Sequence, residues 1–487
     1  MKIHWLRAAA LAIAASAGLP LVAAAQNPSY TISDEVVDPA ATIADEPASD
    51  YFAPASQAAT HSRASYSRAA HAAAYSATLS SAALSSAGPS CEPSCEPCAA
   101  CGDAVEAECE PFRMFCPKDC GVSVYGWLAG GIMGNSQSPA SEFNGVTTFP
   151  DQWHGQFNQG YAIAEKTIDT GGCGCDWGFR VDALYGTDYI FTQALGLETR
   201  PEGTPKWNSN PDYGVALPQA YAELGYNDLS VKVGHFYTAH GYEVVPATGN
   251  FFYTHAYAMQ YGEPFTHTGA VANWKLSDNL SVLGALVNGW DALDRVDDEL
   301  MSIGGFTWTN GDNLTVAYMY GYSIDEPTTY GGLTPRHIST FVVTYNYCDW
   351  TYVFQNDVGW QQDGVLTGST ANDPFASAEW YGVNQYLFYE INDCWKAGMR
   401  LEWFRDDDGV RVGGIRPGQT IPSSGFAGNF YNLSAGLNWS PHANILLRPE
   451  IRYDWYDGLA APGGIQPYDD GTRTDQLLYG LDLIVLW

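Results

Sequence analysis

The sequence predicts an all-β protein: a transmembrane antiparallel β-barrel of about 16 strands, preceded by a disordered N-terminal segment rich first in Ala and Ser, then in Cys. Three observations predict it. Charged residues make up only 16% of the 487-residue chain while aromatics reach 14%, with 31 Tyr, 16 Trp and 50 Gly. That composition suits strands at a membrane better than a helical core in water, where about 25% charge is usual. After the N-terminus, no run approaches the ~18–20 consecutive apolar residues of a membrane helix. From Gly121 onward apolar and polar residues alternate, the two-residue period of a strand with unlike faces.

The N-terminus comes first. Lys2 and Arg7 precede an apolar stretch, Ala8 to Val22, and Ala23-Ala24-Ala25 stand before Gln26. Positive region, short apolar core and small-residue cleavage site together predict a signal peptide over residues 1–25. No Cys follows the junction, which disfavours a lipoprotein anchor. Removing Lys2 and Arg7 with it takes the net charge from −32 to −34. With 22 Lys+Arg against 54 Asp+Glu, nucleic acid is excluded as a partner, since phosphate binding needs clustered cations.

Residues 26–90 are Ala- and Ser-rich, lack apolar periodicity and read as a disordered linker. Residues 91–120 hold seven of the eleven cysteines: Cys91, Cys95, Cys98, Cys101, Cys109, Cys116 and Cys120. The spacing of the first four resembles a zinc or iron–sulfur set. Export to an oxidising compartment favours disulfides instead, for these seven and for Cys173 and Cys175. No metal site and no cofactor is predicted. Eleven is odd, so at least one cysteine is free or bonds another chain.

The strands follow. The pattern places them near 121–132, 158–168, 177–188, 217–226, 229–238, 268–276, 280–290, 300–309, 314–324, 336–347, 350–360, 378–391, 394–405, 428–439, 443–455 and 475–487, the second, seventh and eighth weakly patterned. Trp395, Ala397, Met399, Leu401 and Trp403 share one face, with Lys396, Gly398, Arg400 and Glu402 on the other. Ile445, Leu447, Ile451, Tyr453 and Trp455 oppose Asn444, Arg448, Glu450, Arg452 and Asp454. Aromatics end the apolar rows, as at a lipid interface, while the opposite rows suit a wet lumen. Short turns at 227–228, 277–279, 310–313, 348–349, 392–393 and 440–442 alternate with longer segments at 239–267, 291–300, 325–335, 359–377, 406–427 and 456–473. Short turns on one side and long loops on the other describe an outer-membrane barrel whose N-terminus is periplasmic.

The last strand carries Tyr479, Leu481, Leu483, Val485 and Trp487 on one face. A terminal aromatic closing such a row resembles the signal read by the barrel assembly machinery, which with outer-membrane lipid is an expected partner.

The stretch Val231-Lys-Val-Gly-His-Phe-Tyr-Thr-Ala-His-Gly-Tyr-Glu243, continued by Asn250-Phe-Phe-Tyr-Thr-His255 and Glu263-Pro-Phe-Thr-His-Thr-Gly269, resembles the OmpL-like β-barrel porin family. The resemblance covers roughly residues 121–487. It implies an outer-membrane porin that passes small hydrophilic solutes or ions, and leaves homo-oligomerisation open.

No Gly-x-Ser-x-Gly, phosphate-binding Gly-rich loop with Lys, or His-Glu-x-x-His occurs, so no enzyme is predicted. His235, His240, His255 and His267 cluster near Glu243 and Glu263, where structuring of the loop outweighs a metal site. The segment 239–267 is the third outer loop, which in general porins of this architecture folds inward as a constriction. Channel-wall candidates are Arg180, Asp182, Glu223, Lys232, Lys275, Lys396, Arg400, Glu402, Arg448, Glu450, Arg452 and Asp454, which filter solutes or else pair with each other. Acid runs at Asp294, Asp297, Asp298 and Glu299 and at Asp406-Asp407-Asp408 belong to outer loops, solvated or drawing cations. The competing function is a structural envelope protein whose barrel anchors a cross-linked Cys-rich segment.

Overall fold

The computed structural model describes residues 121–147, 153–200, 204–208, 211–294, 300–328, 332–366, 375–416 and 419–487. The expected signal peptide, linker and Cys-rich segment lie outside them. Sixteen strands follow in order: β1 Ser123–Asn135, β2 Gly155–Lys166, β3 Cys175–Gly186, β4 Gly214–Tyr226, β5 Leu229–Tyr237, β6 Thr266–Ser277, β7 Leu280–Val287, β8 Met301–Thr309, β9 Leu314–Pro327, β10 Leu333–Tyr347, β11 Trp350–Leu366, β12 Phe375–Asn392, β13 Trp395–Asp406, β14 Gly428–His442, β15 Ile445–Gly458 and β16 Asp475–Leu486.

Each strand pairs antiparallel with its neighbours in the chain, and β1 pairs with β16. Closure leaves no edge with unpaired backbone groups, which a bilayer would penalise heavily. At the seam the register runs from Trp127↔Leu486 to Asn135↔Leu478, and the Trp487 and Gly126 amides each donate to the other's carbonyl at 3.0 and 3.1 Å. Deleting Trp487 is therefore expected to lower the yield of heat-modifiable, membrane-inserted barrel. Undiminished insertion would show that the seam closes without it.

Burial is inverted relative to a water-soluble protein. Trp177, Met399 and Ile451 are 57%, 52% and 50% exposed on the outer face, whereas Arg180, Arg400 and Arg452 on the inner face are at most 1% exposed. An apolar outside and a charged inside fit lipid contact, not water contact.

Three details depart from expectation. Strands β11 and β12 pair on to Leu366↔Phe375 past a bulge, so most of 359–377 is ladder and not loop. Ser440, Pro441 and His442 belong to β14, where a register shift between Trp439 and His442 absorbs the missing proline N–H; the turn is Ala443–Asn444. The inner rows of β6 to β8 carry more apolar residues than the other walls, with Val271, Ala285, Val287, Met301 and Ile303 buried. Apolar residues on both faces explain why β7 and β8 alternate so weakly.

Cys173 and Cys175 are free and exposed, against the expectation of a disulfide. Cys173 is held in a turn by its N–H to the Thr170 carbonyl, while Cys175 is fixed in the β3 ladder opposite Tyr226. Cys348 and Cys394, which the sequence did not single out, are disulfide-bonded.

Candidate functional site: an inward loop clasped by the barrel wall

The connection between β5 and β6 carries two acidic side chains, Glu243 and Glu263, among many aromatic and small residues. Such a stretch has little to gain from water, but its backbone groups need partners once it leaves water. It turns into the barrel through a 3₁₀ turn at Ala247–Gly249 and a π turn at Ala258–Gly262, and most of it is buried.

The inner rows of β13 and β15 supply those partners. Arg400 donates to the Thr254 carbonyl, the Thr254 hydroxyl and Glu243 Oε1, each at 2.8 Å. Glu450 accepts the Thr254 N–H at 2.8 Å and its hydroxyl at 2.5 Å. Glu402 accepts the N–H groups of Tyr257 and Ala258 at 2.9 and 2.8 Å. Arg452 donates to the His255 carbonyl and pairs with Asp454, which accepts the Tyr257 hydroxyl at 2.8 Å. Arg448 donates to the carbonyls of Ala247 and Asn250 at 2.9 and 2.7 Å and pairs with Asp482.

Other strands hold the loop as well. Gln159 of β2 donates to the Val245 carbonyl at 2.7 Å, and Gln355 of β11 accepts the Tyr242 N–H at 2.9 Å. From β12, Trp380 donates to the Gly262 carbonyl and Tyr386 to Glu243, both at 3.0 Å. Hydrogen bonds to charged groups contribute about 1.5–3 kcal/mol each. A set this dense fixes one loop conformation.

The twelve wall candidates thus fall into three groups. Arg400, Glu402, Arg448, Glu450, Arg452 and Asp454 hold the loop. Arg180 and Asp182 pair at 2.7 Å in a separate network with Glu165, Tyr161 and Gln219, and the Lys232 ammonium lies 4.8 Å from the Tyr221 ring centre. Glu223, Lys275 and Lys396 lie toward the short-turn end and are half-buried, Lys275 paired with Asp278 and Lys396 with Glu390. Thr254, Gln355, Trp380 and Asp482 are absent from the sequence-based candidates, and Glu243 is there only as a neighbour of the loop histidines. Asp482 had a signal, as the one charge in the row opposite Tyr479, Leu481 and Leu483.

The outer connections close over the loop. Tyr261 donates to the Gly413 carbonyl at 2.8 Å, and Arg416 donates to the Thr187 carbonyl at 2.9 Å. Asp406, expected in a solvated acid run, is instead buried and accepts the N–H groups of Val410, Arg411 and Val412. Asp297, Asp298 and Glu299 lie outside the described residues. The Arg411 guanidinium lies 5.2 and 4.9 Å from the ring centres of Trp290 and Trp380. A cavity of 10 Å³ between loop and wall, bordered by Asn158, Asp188, His255, Arg448 and Asp482, has room for about one water.

The histidines serve the loop's scaffold. His267 bridges the Gly289 carbonyl and the Thr238 hydroxyl at 2.9 and 3.0 Å, His235 meets Thr268 at 2.8 Å, and His255 lies 3.4 Å from Glu243. Among the described residues no group of three or more His, Cys, Asp or Glu is placed to hold a metal ion.

Two buried carboxyls in the outer connections make this packing pH-sensitive. Burial pushes Asp291, which accepts the N–H groups of Phe265 and Thr266, up to about 8. Burial likewise pushes Glu198, which accepts the N–H groups of Ala194 and Leu217, up to about 7. Both are raised in the folded state, so folding favours the protonated forms. Stability is therefore full below the ordinary carboxyl range and is lost as pH rises through 7 and 8. Amide exchange around 194–217 and 265–291, corrected for its chemical rate, should lose protection across that rise. Constant protection would sink the assignment.

The family described as putative beta-barrel porin-2, OmpL-like, matches residues 121–487. Among solved structures, the anion-selective porin from Comamonas acidovorans is similar at 9% identity, with 75% of this chain and 99% of that chain covered and a TM-score of 0.50. Pseudomonas putida OprB gives 12% identity, 76% and 95% coverage and a TM-score of 0.48. Salmonella typhi OmpF gives 13%, 75%, 97% and 0.47. At 9% identity the likeness to the first of these is one of fold alone. No curated protein matches the chain.

Proposed function

The chain belongs to the OmpL-like β-barrel porin family and is an outer-membrane channel for small solutes; on that premise we propose a narrow passive porin whose solute limit is set by the clasped loop 238–265. The observation that carries this reading is the loop's position inside a closed sixteen-stranded barrel, tied to the inner rows of β2, β11, β12, β13 and β15. The short-turn end faces the periplasm, with Glu223, Lys275 and Lys396 lining an inner vestibule. The exposed apolar rows meet lipid, and the row ending at Trp487 meets the assembly machinery. The activity is diffusion, with no chemical step.

Charge selectivity follows from position. The deeply buried wall arginines are each paired with carboxylates, so the field felt by an entering ion comes chiefly from the acidic outer connections, within a Debye length of ~10 Å at 0.1 M salt. A weak cation preference is expected, fading as salt rises. Planar-bilayer recordings of purified protein test both statements: discrete low-conductance channels, with a cation-selective reversal potential in a KCl gradient that shrinks at high ionic strength. Silence in the bilayer would refute the channel, and anion preference at low salt would refute the field.

A further inference from the structure

Where the loop returns to the wall before β6, two carboxyls meet. Glu263 of the loop and Asp357 on the inner row of β11 are both buried, and their side chains lie within hydrogen-bonding reach of each other. Gln355, two residues before Asp357 on the same row, is the donor between them. Its Nε2 donates to Glu263 Oε1 and to Asp357 Oδ2, each at 2.5 Å. Both amide hydrogens are thereby used, and its Oε1 accepts the Tyr242 N–H at 2.9 Å. Asp357 Oδ1 is left buried without a donor, and no Lys or Arg among the described residues pairs with Asp357. Two ionised carboxyls here would be acceptors only, repelling each other out of reach of water. One proton on either turns the contact into a charge-assisted hydrogen bond.

We propose that Glu263 and Asp357 bind one proton between them, and that this proton latches the returning end of the loop to β11. The charged groups packed around the pair are engaged elsewhere. Glu243, on the loop, adds to the negative field at Glu263; it is paired with Arg400 of β13 at 2.8 Å, stands 3.4 Å from His255 and accepts the Tyr386 hydroxyl of β12. Glu402 of β13 accepts the Tyr257 and Ala258 N–H groups. On β10 the Thr340 hydroxyl stands beside Asp357 and meets His240 Nδ1 at 3.3 Å. Burial pushes His240 down to about 3, so that imidazole stays neutral and supplies no counter-charge.

Burial first, and the facing Asp357 carboxylate next, hold Glu263 well above the ordinary carboxyl range. Because Glu263 is raised on folding, the latch contributes fully below that ordinary range and is lost as pH rises past the titration of the pair. Its chemistry is proton binding alone, taken from water and returned to it. The consequence rests on the channel reading: a loop end released from β11 leaves a wider lumen at alkaline pH.

The purified full-length protein tests the latch against Glu263→Gln and Asp357→Asn. Either amide permanently supplies the hydrogen that the proton supplies, so each variant keeps the contact and loses its titration. Infrared difference spectra, wild type minus variant, should show a protonated-carboxyl carbonyl stretch at neutral pH that vanishes at alkaline pH. Amide exchange across 256–264, corrected for its chemical rate, should accelerate in the wild type by up to about tenfold per pH unit and stay flat in both variants. If Glu263→Gln fails to assemble, Asp357→Asn carries the same test. A variant that follows pH as the wild type does, or difference spectra without that band, would overturn the latch. In planar bilayers the wild-type conductance should rise with pH and that of the variants should not; a wild type indifferent to pH would overturn the effect on the pore. Silence from every protein would refute the channel instead, since the spectra and the exchange decide the latch without conduction.

Discussion

Arg400→Ala is expected to destabilise the clasped loop by about 3–5 kcal/mol, the usual cost of removing one partner from a buried ion pair. The guanidinium is fully buried, pairs with Glu243 at 2.8 Å, stands 3.6 Å from Glu450 and caps the carbonyl and hydroxyl of Thr254. Its loss leaves two carboxylates and a backbone carbonyl with too few donors in a space that excludes water. Amide exchange across 243–258 should accelerate strongly while the strand ladders stay protected, and open-channel noise should rise. Arg400→Lys should rescue only part of the loss, because one ammonium cannot reproduce the planar fork. Wild-type exchange in Arg400→Ala would mean that the remaining contacts suffice to hold the loop.

Replacing residues 244–262 with a short Gly-Ser link is expected to raise single-channel conductance severalfold. The excised segment fills the space against Phe404, Phe430 and the charged rows of β13 and β15, and its removal returns those rows to water. Barrel assembly should survive, because closure depends on the strand ladders and the β1–β16 seam, which the loop does not form. Unchanged conductance would place the limiting constriction elsewhere, in the outer connections or at the opposite mouth.

Most of the barrel was legible because its signal is local. On β13 and β15 every second residue announces its face, and the structure keeps those faces. What the inner row would touch was not legible. Glu450 meets Thr254 from 196 residues away and Arg400 meets Glu243 from 157, and no period carries that information. Six of the twelve charges read as wall residues therefore hold a loop. Where alternation failed it failed for a physical reason, since apolar packing against Val271, Ala285 and Ile303 removes the polar half of the pattern. Asp406 misled in the same way: a carboxylate beside two others reads as solvent, yet its oxygens serve three successive backbone amides.

The inward loop also bears on the mechanics of the wall. A hollow cylinder one strand thick resists stretching along its hydrogen-bond ladders but flattens easily, because ovalisation needs only small hinge rotations between neighbouring strands. Here β2 is tied through Val245 to the loop, and β11, seven places away around the sixteen-strand ring, is tied to it through Tyr242. Squeezing the barrel along that line compresses a packed strut; widening it pulls on charge-assisted bonds. The loop is thus a cross-brace that holds the cylinder round against lateral pressure from the bilayer, and whatever loosens the brace softens the whole tube.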